Sequence, residues 1–104
     1  MNLKGTLALL VLQTLAEGPN HGYRIAQTIK KRSKGVLDFQ EGALYPCLHG
    51  LEKQGLLDSH ESIEQGRTRR YYQLTQKGIR ELAAQRQEWE KVFKAVRLVL
   101  EGSA

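Results

Sequence analysis

Hydrophobic positions change their period several times along this chain, and each change marks an element. Lys4 to Ala16 is a run of strong helix formers that is apolar almost all round, through Leu7, Leu9, Leu10, Val11, Leu12 and Leu15. A helix with no polar face is buried on more than one side; in so small a chain that predicts cover from a second subunit. Glu17-Gly18-Pro19 ends it, with glycine suited to the C′ position and proline unable to continue. Asn20 stands where an N-cap is needed, which predicts a second helix from about His21 to Arg32 with Gly22, Ile25, Ala26 and Ile29 facing inward. Ser33 to Gln40 connects onward; its Val36, Leu37 and Phe39 fit either a brief strand or an anchor for the turn.

A third helix follows in EGALYPCLHGLEKQG. At 100° per residue, Leu44, Cys47, Leu48 and Leu51 share one face, while Gly42, Tyr45, Pro46, His49, Gly50 and Lys53 fall on the other. Pro46 is expected in the first turn, where a missing N–H costs little, and Gly55 stops the helix. Leu56 to Ile63 and Arg70 to Leu74 have strand character, joined across Glu64 to Thr68. Thr75 caps a final helix from about Gln76 to Leu100, with Gly78 weakening its first turn. In that helix Ile79, Leu82, Arg86, Trp89, Phe93, Val96 and Leu100 are spaced 3-4-3-4-3-4, the interval of paired helices, although Arg86 breaks a strict coiled-coil pattern. Such a helix spans about 37 Å at 1.5 Å per residue and outruns the small core before it. The predicted fold is mainly α with a small β-hairpin. It is a winged helix-turn-helix DNA-binding domain over 1–75 with a C-terminal dimerisation helix over 76–104, assembled as a symmetric homodimer.

Composition narrows the classes. A chain of 104 residues, 40% hydrophobic and 26% charged, is too apolar for disorder. The longest apolar run, Leu7 to Leu15, is broken by Gln13, so neither a membrane span nor a secretory signal is expected. Cys47 is the single cysteine; it cannot form an internal disulfide, which suits a reducing cytoplasm. The net charge is +5, and its placement says more than its size. Arg24, Lys30, Lys31, Arg32 and Lys34 lie between Glu17 and Asp38 with no intervening acid, and Arg67, Arg69 and Arg70 form a second cluster. Part of the first is also explained by the helix dipole, which favours cations at a C-terminus. Together, flanking an amphipathic helix, the two clusters point to nucleic acid.

The segments HGYRIAQTI, EGALYPCLHGLEKQGLL and GRTRRYYQLTQKG closely resemble the PadR family of bacterial transcriptional regulators, and the likeness runs from Leu3 to the end. The lone C-terminal helix is similar to the short branch of that family. The resemblance implies a homodimer in which the last helix embraces the partner's first helix, binding a roughly palindromic operator, usually as a repressor. It also implies that Trp89 can stack a flat aromatic effector at the dimer's centre, with Phe93 and Arg86 as neighbours; the alternative is that Trp89 is a dimer-core residue that binds nothing. Tyr23, matching the tyrosine of the HGY segment, would donate to a phosphate.

For the interface itself, the third helix would enter the major groove. Tyr45 and His49 would then lie near base edges or phosphates, and Lys53 near the backbone. Packing against a neighbouring element is the alternative for either tyrosine, and plain solvation the alternative for His49. Strand alternation puts Arg67 and Arg69 on one face and Arg70 on the other; one or two would reach phosphates or the minor groove while the third pairs with Glu61 or Glu64. Dimer contacts are expected from Leu7, Leu10, Leu82, Trp89, Phe93, Val96 and Leu100. His21, His49 and His60 lie in separate elements, and no nucleophile motif or phosphate loop occurs, so no enzyme, metal or cofactor is expected. The rival reading is a winged-helix module for protein–protein interaction without DNA binding.

Overall fold

A computed structural model describes residues 3–102, so the outermost ends of the 1–75 and 76–104 division lie outside it. The elements run α1 (Leu3–Leu15), β1 (Asn20–His21), α2 (Gly22–Arg32), α3 (Glu41–Lys53), β2 (Leu57–Glu64), β3 (Arg67–Leu74) and α4 (Gln76–Leu100). The four helices and an antiparallel sheet of order β1-β3-β2 make the winged helix-turn-helix with a long last helix that the pattern predicts.

Most of the cover that α1 needs comes from its own chain. Leu7, Leu9, Val11, Leu12 and Leu15 are all buried within a single chain, because α1 runs through the middle and α2, α3, α4 and β3 all pack on it. Ala8 and Leu10 stay only partly buried. Thr14 is buried there too, its hydroxyl donating to the Leu10 carbonyl at 2.8 Å. From the other side Ile25, Ile29, Leu44, Leu48, Leu51, Leu57 and Tyr72 close the core.

Local corrections have physical causes. Asn20 is not the cap of α2. It pairs with Tyr72 across β1 and β3, and its Oδ1 accepts the His21 N–H at 3.0 Å. His21, one residue on, is the N-cap, its ring accepting from the Arg24 N–H. The hairpin is longer than expected, with β3 starting at Arg67 and a turn of only Gln65 and Gly66, both at positive φ. Such a two-residue turn favours glycine and matches the strand twist. Pro46 lies beyond the first turn, inside α3. It leaves the Gly42 carbonyl without its helical donor, at an exposed position where water can serve. Val36, Leu37 and Phe39 form no strand; Leu37 and Phe39 pack against the core while Val36 is exposed.

The start of α4 is clamped to the end of α3. The Thr75 side chain caps the Gly78 N–H at 3.0 Å and donates to the Gly55 carbonyl at 2.7 Å. Lys77 Nζ reaches the Gln54 carbonyl at 2.9 Å. A Cβ at Gly78 would stand 2.2 Å from the Leu56 carbonyl oxygen, so this close approach requires glycine. Beyond Trp89 the helix leaves the body, and the molecule is drawn out to 60 × 29 × 22 Å.

Candidate nucleic-acid interface

The outer side of α3 is short-chained and largely open. His49 and Lys53 are exposed there. Tyr45 is half-buried, and a Cβ on Gly22 would lie 3.0 Å from its ring and hydroxyl. Gly22 of the HGY segment and Tyr45 of the LYP segment are thus halves of one contact that sets α2 against α3. Packing on a neighbour is therefore the observed setting of Tyr45. Its ring edge continues toward His49, with centroids 6.4 Å apart. Tyr23 is exposed, and its hydroxyl accepts from Gln27 Nε2 at 2.9 Å.

The α2 basic cluster divides in two. Lys30 pairs with Asp38 at 3.4 Å, and Arg32 pairs with Glu17. That bond holds the Glu17 carboxyl below its ordinary pKa and raises the Arg32 guanidinium. Arg24, Lys31 and Lys34 are exposed and enter no ion pair among the described residues. They form one surface with Gln27 and Thr28.

The wing arginines divide as well. Arg70 lies on the same side of β3 as buried Tyr72. It donates to Glu61 Oε1 and to Ser59 Oγ, each at 2.9 Å, and Ser59 donates to Glu52 of α3 at 2.6 Å. Arg70 is thus the wing arginine that pairs with Glu61 within the chain. On the opposite side Arg67 is exposed. Arg69 is half-buried, with Nη1 3.3 Å from Nδ1 and 3.4 Å from Nε2 of His21. The cross-strand neighbour of Arg67 is Glu64, whose carboxylate is taken by the Tyr71 hydroxyl. That bond, with burial behind it, raises the Tyr71 phenol above its ordinary pKa. Burial first, then Arg69 and Arg24, hold His21 below the ordinary imidazole value. His21 was not legible from sequence because its placement depends on the β1–β3 register; Arg24, three residues on, is its one basic neighbour in the chain.

A second feature is apolar. Leu7 and Ala8 of α1, Phe39, and Ala43, Pro46, Cys47 and Leu51 of α3 line an open groove of about 560 Å³. Burial pushes the Cys47 thiol pKa up, so Cys47 serves there as a small apolar side chain. Across the molecule, every residue of α4 from Lys91 to Leu100 is exposed. Phe93, Val96 and Leu100 are 52%, 47% and 80% exposed, whereas Leu7 and Leu82 are sealed in the chain's own core. Arg97 covers one side of the Phe93 ring at 5.1 Å. Trp89 packs partly buried against the core, and exposed Arg86 donates to Gln13 Oε1 of α1 at 3.2 Å. Among the described residues no cluster of ligating side chains is suited to a metal, and no helix is long and apolar enough to cross a membrane.

A helix-turn-helix whose sheet ends in an arginine-bearing hairpin beside α3 defines the winged-helix class. Residues 11–84 match the transcriptional regulator PadR-like family, and the chain belongs to it. It is 32% identical to a transcriptional regulator of Mycobacterium tuberculosis over 93 residues, covering 89% of this chain and 84% of that protein. A solved transcriptional regulator from Clostridium thermocellum superposes with a TM-score of 0.85 at 29% identity, covering 91% and 93% of the two chains. A solved PadR family transcriptional regulator from Eggerthella lenta does so at 0.82 and 33% identity, covering 95% and 86%. The family is one of transcriptional regulators, not enzymes.

Proposed function

We propose that this chain is a homodimeric repressor that binds a roughly palindromic operator. The observation that carries it is the partition of charge. Lys30, Arg32 and Arg70 are neutralised by the chain's own carboxylates, while Arg24, Lys31, Lys34, Lys53, Arg67 and Arg69 have no ion pair among the described residues, on α2 and the turn after it, the end of α3 and the wing. Uncompensated cations flanking an exposed helix face suit the phosphates on either side of a groove. His49 and the Tyr45 edge would face the bases, with Lys53 and the Tyr23 hydroxyl on the backbone.

The dimer reading rests on complementarity. One copy offers an exposed apolar stripe of Phe93, Val96 and Leu100, and the other an apolar groove beside α1 and α3. Seating the end of α4 in the partner's groove buries both and repeats by two-fold symmetry. That would set two α3 helices about one DNA turn apart, over 1–75 as reader and 76–104 as dimeriser. Leu10 at the rim of α1 would join the contact, with Leu7 and Leu82 supporting it from beneath. A flat aromatic effector would stack near Trp89, beside Phe93 and Arg86.

Selection of binding sites from random DNA, followed by a salt titration on the selected duplex, tests the regulator reading. With about six phosphates neutralised per dimer, log K should fall with log salt at a slope near −5. Salt-independent or absent binding would favour the protein–protein module instead. Fluorescence of Trp89, the sole tryptophan, tests the effector: planar aromatics should quench it, and a flat response across a diverse panel rejects that role.

A further inference from the structure

Four cationic or ionisable side chains converge on one side of the sheet: His21 from β1, Arg24 from the first turn of α2, and Arg67 and Arg69 from β3. They line a concavity of about 460 Å³ together with Asn20, Gln65, Glu64 and Tyr71. Its only carboxylate, Glu64, is already engaged by the Tyr71 hydroxyl. Arg69, half-buried, has no ion pair among the described residues and faces both nitrogens of the His21 ring.

The hydrogen bonding around that ring is short of acceptors. A guanidinium has five donors and accepts nothing, and a neutral imidazole has a single acceptor nitrogen. Nδ1 of His21 already accepts the Arg24 N–H at 3.4 Å as the cap of α2, and the same nitrogen faces Arg69 at 3.3 Å. Tyr23 stacks against the ring at 6.5 Å, and Tyr71 meets it edge-on at 5.5 Å with His60 stacked beyond. Protonation would remove the acceptor and place a third cation between Arg24 and Arg69, with Glu64 the only nearby opposing charge. An anion with several acceptor oxygens would accept from both arginines and from an imidazolium.

We propose that this nook grips a backbone phosphate of the bound duplex, and that DNA binding draws a proton onto His21. The inference rests on the DNA-binding reading and adds to it His21 and Arg24, and a pH dependence. A phosphate there supplies acceptors to Arg24 and Arg69 and a counter-charge to the imidazolium. Arg70, on the far side of the sheet, takes no part.

The test is fluorescence anisotropy of the full chain on a labelled duplex of roughly 30 base pairs carrying the selected operator, long enough for two half-sites. Arg24→Gln/Arg69→Gln should weaken binding at least about tenfold and reduce the salt slope by about two, one phosphate per protomer. Arg70→Gln should leave both unchanged. Arg24→Gln alone, at an exposed position, carries the test if the double variant folds poorly. Wild-type affinity should rise at least about threefold from pH 8 to pH 6, and His21→Asn, which keeps a capping side chain, should lose that gain. His60→Gln should keep most of it. Unchanged affinity and slope in the arginine variants, or an unchanged pH gain in His21→Asn, overturns the proposal and leaves the regulator reading standing. Absence of salt-dependent binding by the wild-type chain overturns both.

Discussion

The two halves of α4 carry the same spacing of apolar residues and meet opposite surroundings. From Gln76 to Trp89 the helix is capped by Thr75, held close by Gly78, and sealed by Leu82, which is 7% exposed. From Lys91 to Leu100 every position is exposed, with Phe93, Val96, Val99 and Leu100 presenting apolar surface. A 3-4 repeat therefore announces an apolar face without saying whose core covers it. Charge repeats the contrast: Arg70 finds Glu61 within the chain, whereas Arg67, three residues earlier, has no ion-pair partner among the described residues.

Substitutions separate the halves. Leu82→Ala should cost the fold about 3 kcal/mol, as a buried leucine truncated in a packed core. Chemical denaturation checks it, and a loss under about 1 kcal/mol would mean that the first half is not core. Gly78→Ala should cost about 2 kcal/mol, because the added methyl forces α4 off the Leu56 carbonyl. The same denaturation series measures it; an unchanged midpoint would show that the helix start shifts freely. Phe93→Ala should act on association, weakening the dimer by about 1–2 kcal/mol with helical content retained. Sedimentation over a dilution series would show this, and an unaltered monomer–dimer balance would remove Phe93 from the interface. Breaking the internal pair by Glu61→Gln should cost under about 1 kcal/mol, the scale of an exposed ion pair, as a denaturation midpoint little changed from wild type would show.

Much of the architecture was legible because its signals are local. The bounds of α4 coincide with those read from Thr75 and the apolar repeat. The opposition of Arg70 to Arg67 and Arg69 followed from strand alternation, and its pairing with Glu61 was one of two partners foreseen. What stayed hidden depends on tertiary register. A strand of two polar residues, Asn20 and His21, has no period to detect. It exists because β3 runs alongside, and that pairing moves the cap of α2 from Asn20 to His21. The cover over α1 was equally invisible, since all-round apolarity looks the same whether a partner or the chain itself supplies the burial. On the wing, telling the paired Arg70 from Arg67 and Arg69 needed the geometry of Glu61, Ser59 and Glu52.

His21 stands where the two kinds of region meet, capping a helix within its own chain while facing an open basic nook, and it gives the smallest effect expected here. Burial, Arg69 and Arg24 lower its pKa in the folded state, below the value of about 6.5 it has when unfolded. The folded protein then binds fewer protons than the unfolded chain through that range, so stability rises with pH there. The contribution is fully present above about pH 6.5 and is lost as pH falls through the folded value. Because the ring is only partly buried, solvent screening keeps the effect under about 1 kcal/mol. Thermal melts without DNA at pH 7.5 and at about pH 5 should show a larger drop for wild type than for His21→Asn. Equal drops would mean that neutral His21 is not favoured by its surroundings. With the operator present the ordering reverses, since a phosphate in the nook favours the imidazolium: acid should loosen the free protein while tightening its hold on DNA.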